Sequence, residues 1–168
     1  MKYILFDKKI LPLLLVLLTE MNSTYSQTRK LYDINANPFE QFEVAKADAK
    51  AENKHIMIQI GGNWCTWCFK FHDFYQNDNE LDSIIKSNYI VMNVAFDPVK
   101  NQDFFASMAY PQRFGFPVIV ITDAEGNHLH TQDSWYLEDG VSSYNKDKFK
   151  AFLKNWTRQA LNPNSYKK

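Results

Sequence analysis

Cysteine is nearly missing from this chain of 168 residues, which has only two, Cys65 and Cys68. With no second C-x-x-C, a four-cysteine metal site is excluded. Net charge is missing too, since nineteen Lys and Arg balance nineteen Asp and Glu. A chain of mixed and balanced sign offers no electrostatic footprint for nucleic acid or a membrane surface, so neither is expected as a partner. Long apolar runs are also wanting. The stretch Ile10–Leu18 falls far short of the roughly 20 residues that a membrane-spanning helix needs. There is no internal repeat and no low-complexity segment.

The beginning of the chain reads as an export signal. Lys2, Lys8 and Lys9 precede the apolar run, and a polar stretch follows it, the order of a secretory signal peptide. Thr24 and Ser26 are small enough for the −3 and −1 positions of a cleavage site, which puts the cut before Gln27 and residues 1–26 outside the mature protein. No cysteine lies near the cut, so a lipid anchor is not expected. The remaining 142 residues carry sixteen basic against seventeen acidic side chains and suffice for one domain with a proper core. An aromatic content of 15% points to a core built from Phe, Tyr and Trp. Export to a periplasmic or extracellular location sets the two thiols where a disulfide persists.

The mature chain divides into a lead-in (27–36), a domain (37–162) and a tail (163–168). Asn37 reads as an N-cap with Pro38 at the first helical position, and Phe42, Ala45 and Ala49 continue at helical spacing to about Asn53. Apolar runs at 55–60, 89–96 and 117–122 read as buried strands. Helices are expected after the cysteines, over "NELDSIIKSN", and in a piece ending near Pro111. Residues 123–127 form a turn into a fourth strand, 128–134. The last helix carries Phe149, Phe152, Leu153, Trp156 and Ala160 along one face. This order predicts an α/β fold, a mixed central sheet with helices on both faces.

The stretch "GGNWCTWCFKFH" (61–72) holds both thiols, and three uses are open to them. As a staple, the pair closes a very short loop, worth about 2 kcal/mol against about 4.7 for a loop of 100 residues. A zinc site would need Cys65, Cys68 and His72 with a fourth ligand from His128 or His130. The third use is redox exchange. Cys65 stands where a helix begins, at unpaired N–H groups and a positive dipole end, and such a site lowers a thiol pKa from about 8.5 toward 7 or below. Cys68, one turn on, is placed to resolve a mixed disulfide.

"WCTWC" after an apolar strand, with "GFP" (115–117) opening a later one, resembles the thioredoxin superfamily. It is most similar to exported bacterial thioredoxin-like domains with a W-C-x-W-C motif, over residues 35–160. The resemblance implies a thioredoxin-like fold and a thiol–disulfide oxidoreductase without bound cofactor or metal, acting as a monomer. Its expected partners are protein substrates with disulfides or thiols, and a redox partner protein. Cys65 would be the nucleophile and Cys68 the resolving thiol. Pro117 would be the cis-proline facing them, Phe116 would pair by its backbone with an extended substrate segment, and Trp64 and Trp67 would form an apolar docking rim. Two positions depart from the family pattern. Gln59 stands where a buried Asp is usual, and Asn93 where its companion lysine is usual. Gln cannot titrate near neutrality, so water or another group, His72 being one candidate, would move the Cys68 proton. Trp67 replaces the His that strongly oxidising members carry, which leans toward a reductase. The rival reading is a binding or chaperone module that keeps its thiols without catalysis.

Overall fold

The computed structural model describes residues 29–167; the expected signal peptide and its cleavage site lie outside them. The first element is helix α1 (Pro38–Glu52). The Asn37 side chain accepts the Phe39 N–H, Pro38 occupies the first turn, and Asn53 ends the helix in the left-handed region at φ 57°, each a local chain signal for a helix terminus. Strand β1 (His55–Gly61) follows and is buried along its whole length. Helices α2 (Thr66–Gln76) and α3 (Asn79–Asn88) lead into β2 (Tyr89–Ala95). After α4 (Gln102–Ser107) and a 3₁₀ turn at Pro111–Phe114, the hairpin β3 (Val118–Thr122) and β4 (His128–Asp133) leads to a second 3₁₀ turn and α5 (Lys146–Asn155).

The strands form one mixed sheet in the order β2-β1-β3-β4. β1 runs parallel to β2 and antiparallel to β3, and β3 is antiparallel to β4. The period-two alternation of β-strands sorts the core into two layers. Ile56, Ile58, Ile60, Val118 and Val120 face α1 and α4, against Phe42, Phe104 and Phe105. Met57, Ile119 and Ile121 face α2, α3 and α5, against Phe71, Leu81 and Phe149. Burial on both faces explains why these strands read as continuous apolar runs rather than as alternating ones. The expected α/β fold with helices on both faces is therefore the observed one.

The aromatic residues concentrate on the second layer. The Phe71 ring lies 5.0 Å from both Tyr144 and Phe149, edge to face, a geometry worth about 0.5–1.5 kcal/mol per pair beyond area burial. These contacts fasten α2, which starts at the cysteines, to the last helix.

The last helix departs from its expected length. It ends at Asn155, and Trp156 and Ala160 are not part of it. Side chains, distant and local, take over the groups that a further turn would need. His55 Nδ1 donates to the Trp156 carbonyl at 2.8 Å, the Trp156 indole stacks on His130 at 4.4 Å, and Thr157 Oγ1 accepts the Ala160 N–H.

His55 also makes the fold sensitive to acid. Burial, opposed by the bond to Trp156, lowers its pKa below the ordinary imidazole value, and burial acts in the same direction on His72 and His128. Between the lowered folded value and the unfolded value of about 6.5, the unfolded chain binds more protons. Stability from these groups is complete above that range and is lost as pH falls through it. The urea midpoint is expected to drop between about pH 7.5 and pH 5.5, and to drop less in His55→Gln; a flat midpoint in the wild type would contradict this assignment.

Candidate active site

Cys65 and Cys68 are joined by a disulfide at the start of α2. The strand before them ends at Gly61, whose carbonyl accepts the Phe96 N–H at 2.6 Å. The chain then turns, with the Cys65 N–H donating to the Gly62 carbonyl at 3.0 Å. Cys65 is the N-cap residue of α2, and its Sγ accepts the Cys68 N–H at 3.1 Å. A sulfur in that position faces the open donors and positive dipole end of the helix. The two cysteines differ in exposure, 6% for Cys65 and 0% for Cys68, so only the first offers any surface to a partner.

The other residues expected at the site gather around this pair to differing degrees. The Phe116–Pro117 peptide is cis, Pro117 is buried, and Phe116 packs against the cluster that holds both cysteines. Trp64 is 64% exposed and meets the Phe116 ring edge to face at 5.4 Å. A side chain on Gly62 would collide with that indole, so the glycine lets Trp64 fold back over the turn. Trp67 is half-buried; its ring lies against Tyr144 at 5.5 Å with Lys70 Nζ above it at 4.5 Å.

The histidines do not converge on the sulfurs. His72 lies beside Asp73 and Arg29, and burial lowers its pKa while Asp73 pulls the other way. His128 is bonded to Thr131 and His130 to Gln132, on β4. Among the described residues, no three His, Cys, Asp or Glu side chains are grouped as metal ligands.

Gln59 is fully buried on the α2 side of β1. Its Nε2 donates to the Tyr32 hydroxyl at 2.7 Å and to the Cys68 carbonyl at 3.3 Å, and its Oε1 accepts from the Tyr75 hydroxyl at 3.5 Å. Asn93 sits opposite Gln59 in the β1–β2 register, with its Oδ1 buried and unpartnered. Burial raises the pKa of both Tyr32 and Tyr75 far above the ordinary phenol value, so both hydroxyls keep their protons.

Tyr32 and Asn63 belong to the site although neither was singled out from the sequence. Asn63 Oδ1 accepts the N–H groups of Leu31 and Tyr32 at 2.9 and 3.0 Å, and its Nδ2 donates to the Tyr32 carbonyl at 2.8 Å. This clamp draws the lead-in across the cysteine turn and leaves Tyr32 1% exposed. Arg29 adds an ion pair with Asp73 and lies over the Phe69 ring. Tyr32 sits in a short lead-in with no helical or strand periodicity, so no local signal marks it. Asn63 sits inside the motif, and its side-chain amide is the one available hint.

Residues 37–124 match the profile of a family described as thioredoxin-like. No curated protein matches the chain. Among solved structures, the disulphide isomerase from Xylella fastidiosa Temecula1 aligns with a TM-score of 0.64 at 21% identity, over 75% of this chain and 96% of its own. The C-terminal domain of Neisseria meningitidis DsbD in the oxidised form aligns with a TM-score of 0.51 at 14% identity, over 71% of this chain and 96% of its own. At these identities the two likenesses bear on the fold.

Gly61 provides a test of how tightly the site is built. A Cβ there would collide with Cys68 Sγ and come within 2.7 Å of the Tyr32 hydroxyl oxygen. Gly61→Ala is expected to destabilise the oxidised protein by about 1–3 kcal/mol, the range for overpacking a filled core, as read by urea unfolding. Wild-type stability in that variant would mean the packing around Cys68 is loose.

Proposed function

The chain belongs to the thioredoxin-like family, matched over residues 37–124, and from that premise we propose that it is a thiol–disulfide oxidoreductase acting on exported proteins through Cys65 and Cys68. The fold and the close cysteine pair support thiol–disulfide exchange. The observation that carries the reading is the Cys65 sulfur at the N-cap of α2, bonded to the Cys68 N–H, with Cys68 shielded behind it. A backbone donor and a helix N-terminus favour a thiolate at Cys65.

In this reading the reduced Cys65 thiolate attacks a substrate disulfide and forms a mixed disulfide, releasing one substrate thiolate. Cys68 then loses its proton and attacks Cys65 Sγ. The Cys65–Cys68 bond forms, and the second substrate sulfur leaves with its electron pair. A redox partner protein reduces the pair again. Trp64, Trp67, Phe116 and Pro117 serve substrate docking, since the exposed indole and the cis turn flank the only cysteine with surface. The direction leans to reduction because Trp67 places no cation beside the pair. The N-terminal pattern of residues 1–26 supports export to the periplasm or the outside, and the domain at 37–162 works as a monomer.

One observation favours a second reading, a thioredoxin-like binding or chaperone module. Gln59 and Asn93 supply no titrating group behind the cysteines. The readings separate in an insulin-reduction assay with dithiothreitol. The wild type is expected to accelerate reduction and Cys65→Ser to abolish the acceleration. Equal rates for the two, with a Cys65 that resists alkylation near neutral pH, would leave the binding module in possession.

A further inference from the structure

When the disulfide opens, charge appears on the fully buried Cys68, in a pocket walled by Leu31, Trp67, Ala95 and Phe116. A bare thiolate there is costly unless a donor meets it. Gln59 cannot exchange a proton near neutrality, and its amide N–H groups already serve Tyr32 and the Cys68 carbonyl. His72 is engaged with Asp73 and Arg29.

Tyr32 is differently placed. A Cβ on Gly61 would run into both Cys68 Sγ and the Tyr32 hydroxyl, so sulfur and phenol border the same small volume that the glycine leaves free. The Tyr32 oxygen accepts from Gln59, an arrangement that leaves its own hydrogen to give. Among the described residues no other hydrogen bond engages that hydroxyl. Tyr75 holds the far end of Gln59, which fixes the amide orientation and hence the side from which the phenol is approached.

We propose that the Tyr32 hydroxyl is the hydrogen-bond donor to the Cys68 sulfur whenever the disulfide is open, meeting the charge on that sulfur without itself titrating. The inference rests on the exchange reading above and adds to it the group that meets the charge on the buried sulfur. An incoming thiolate bonds to Cys65 Sγ, and the electron pair of the Cys65–Cys68 bond departs on Cys68, where the Tyr32 O–H donates to it until water supplies the proton that makes it a thiol. In the opposite direction Cys68 gives its proton to water and attacks Cys65 Sγ of the mixed disulfide. The expelled partner thiolate takes up a proton from solvent, so protons and electrons balance. Tyr32 keeps its proton throughout, as its raised pKa requires, and the bond from Gln59 to its oxygen strengthens it as a donor. The titratable groups on this side are Tyr75, across Gln59, Tyr144, and beyond Tyr75 the side chains of His72, Asp73 and Asp82.

The test compares the purified wild type with Tyr32→Phe, which keeps the ring and removes the hydroxyl. Two quantities are read: the rate at which dithiothreitol reduces the Cys65–Cys68 disulfide, and the titration of Cys68 in a Cys65→Ala background by carbon NMR of its labelled β-carbon. With melting behaviour preserved, Tyr32→Phe is expected to be reduced about tenfold more slowly, and its Cys68 to titrate about one unit higher, the size of one hydrogen bond to an anion. A merely structural tyrosine would leave the titration where it was. A folded Tyr32→Phe with wild-type rate and titration overturns the proposal. If Tyr32→Phe does not fold, Gln59→Met substitutes for it, leaving the phenol in place but unheld. A slowing of about threefold with an upward titration shift then supports the donor, and wild-type values overturn it. An insulin assay in which Cys65→Ser equals the wild type brings down the exchange reading instead, while the Cys68 titration still decides the role of Tyr32.

Discussion

The hydrogen bond from the Cys68 N–H to Cys65 Sγ ties the outer sulfur of the pair to the first turn of α2, and its position depends on supports from three directions. From below, β1 ends at Gly61, held to the neighbouring strand by the Phe96 N–H. From the side, the cis turn at Phe116–Pro117 brings an aromatic ring against the pair. From the front, Asn63 pins the lead-in across the turn with three hydrogen bonds. Because α2 is itself fastened to α5 through Phe71 and Phe149, the helix end cannot drift from the sheet without opening the aromatic layer. Such preorganisation matters for exchange chemistry, in which the attacking sulfur must meet its target in line and within reach.

Behind the sulfurs the molecule replaces a charge with a chain of neutral donors. Tyr75 donates to Gln59, and Gln59 donates to Tyr32. Every member is buried and every heteroatom named here has a partner, which is the condition for a polar network to be tolerated in a core. Asn93, with its unpartnered oxygen, is the exception. A network of this kind is insensitive to pH around neutrality, unlike a buried carboxylate, whose ionisation would have to be balanced by its surroundings.

Most of the architecture was legible in the chain because its signals are short-range. Asn37-Pro38 marks a helix start through local capping geometry, and the runs at 55–60 and 117–122 read as buried strands because the sheet is covered on both sides. Legibility ended where distant groups intervened. The last helix stops early because His55, from the first strand, takes the carbonyl of Trp156. Trp67 is shared between surface and core because Tyr144, from a loop far along the chain, comes to lie beside it. The spacing of His128 and His130 suits metal ligands, but the fold gives them Thr131, Gln132 and Trp156 as neighbours.

The cysteine pair and the element order follow from chain chemistry alone, since a three-residue cysteine spacing, an N-cap and a buried apolar run act over a few neighbouring residues. The partner of the buried sulfur does not. Tyr32 and Gln59 are 27 positions apart, and they meet because the lead-in folds back onto the end of β1 and finds Asn63 there. No periodicity encodes such a return: its free energy comes from burying one ring and satisfying three backbone groups at once, and those gains exist only after the sheet and α2 have formed.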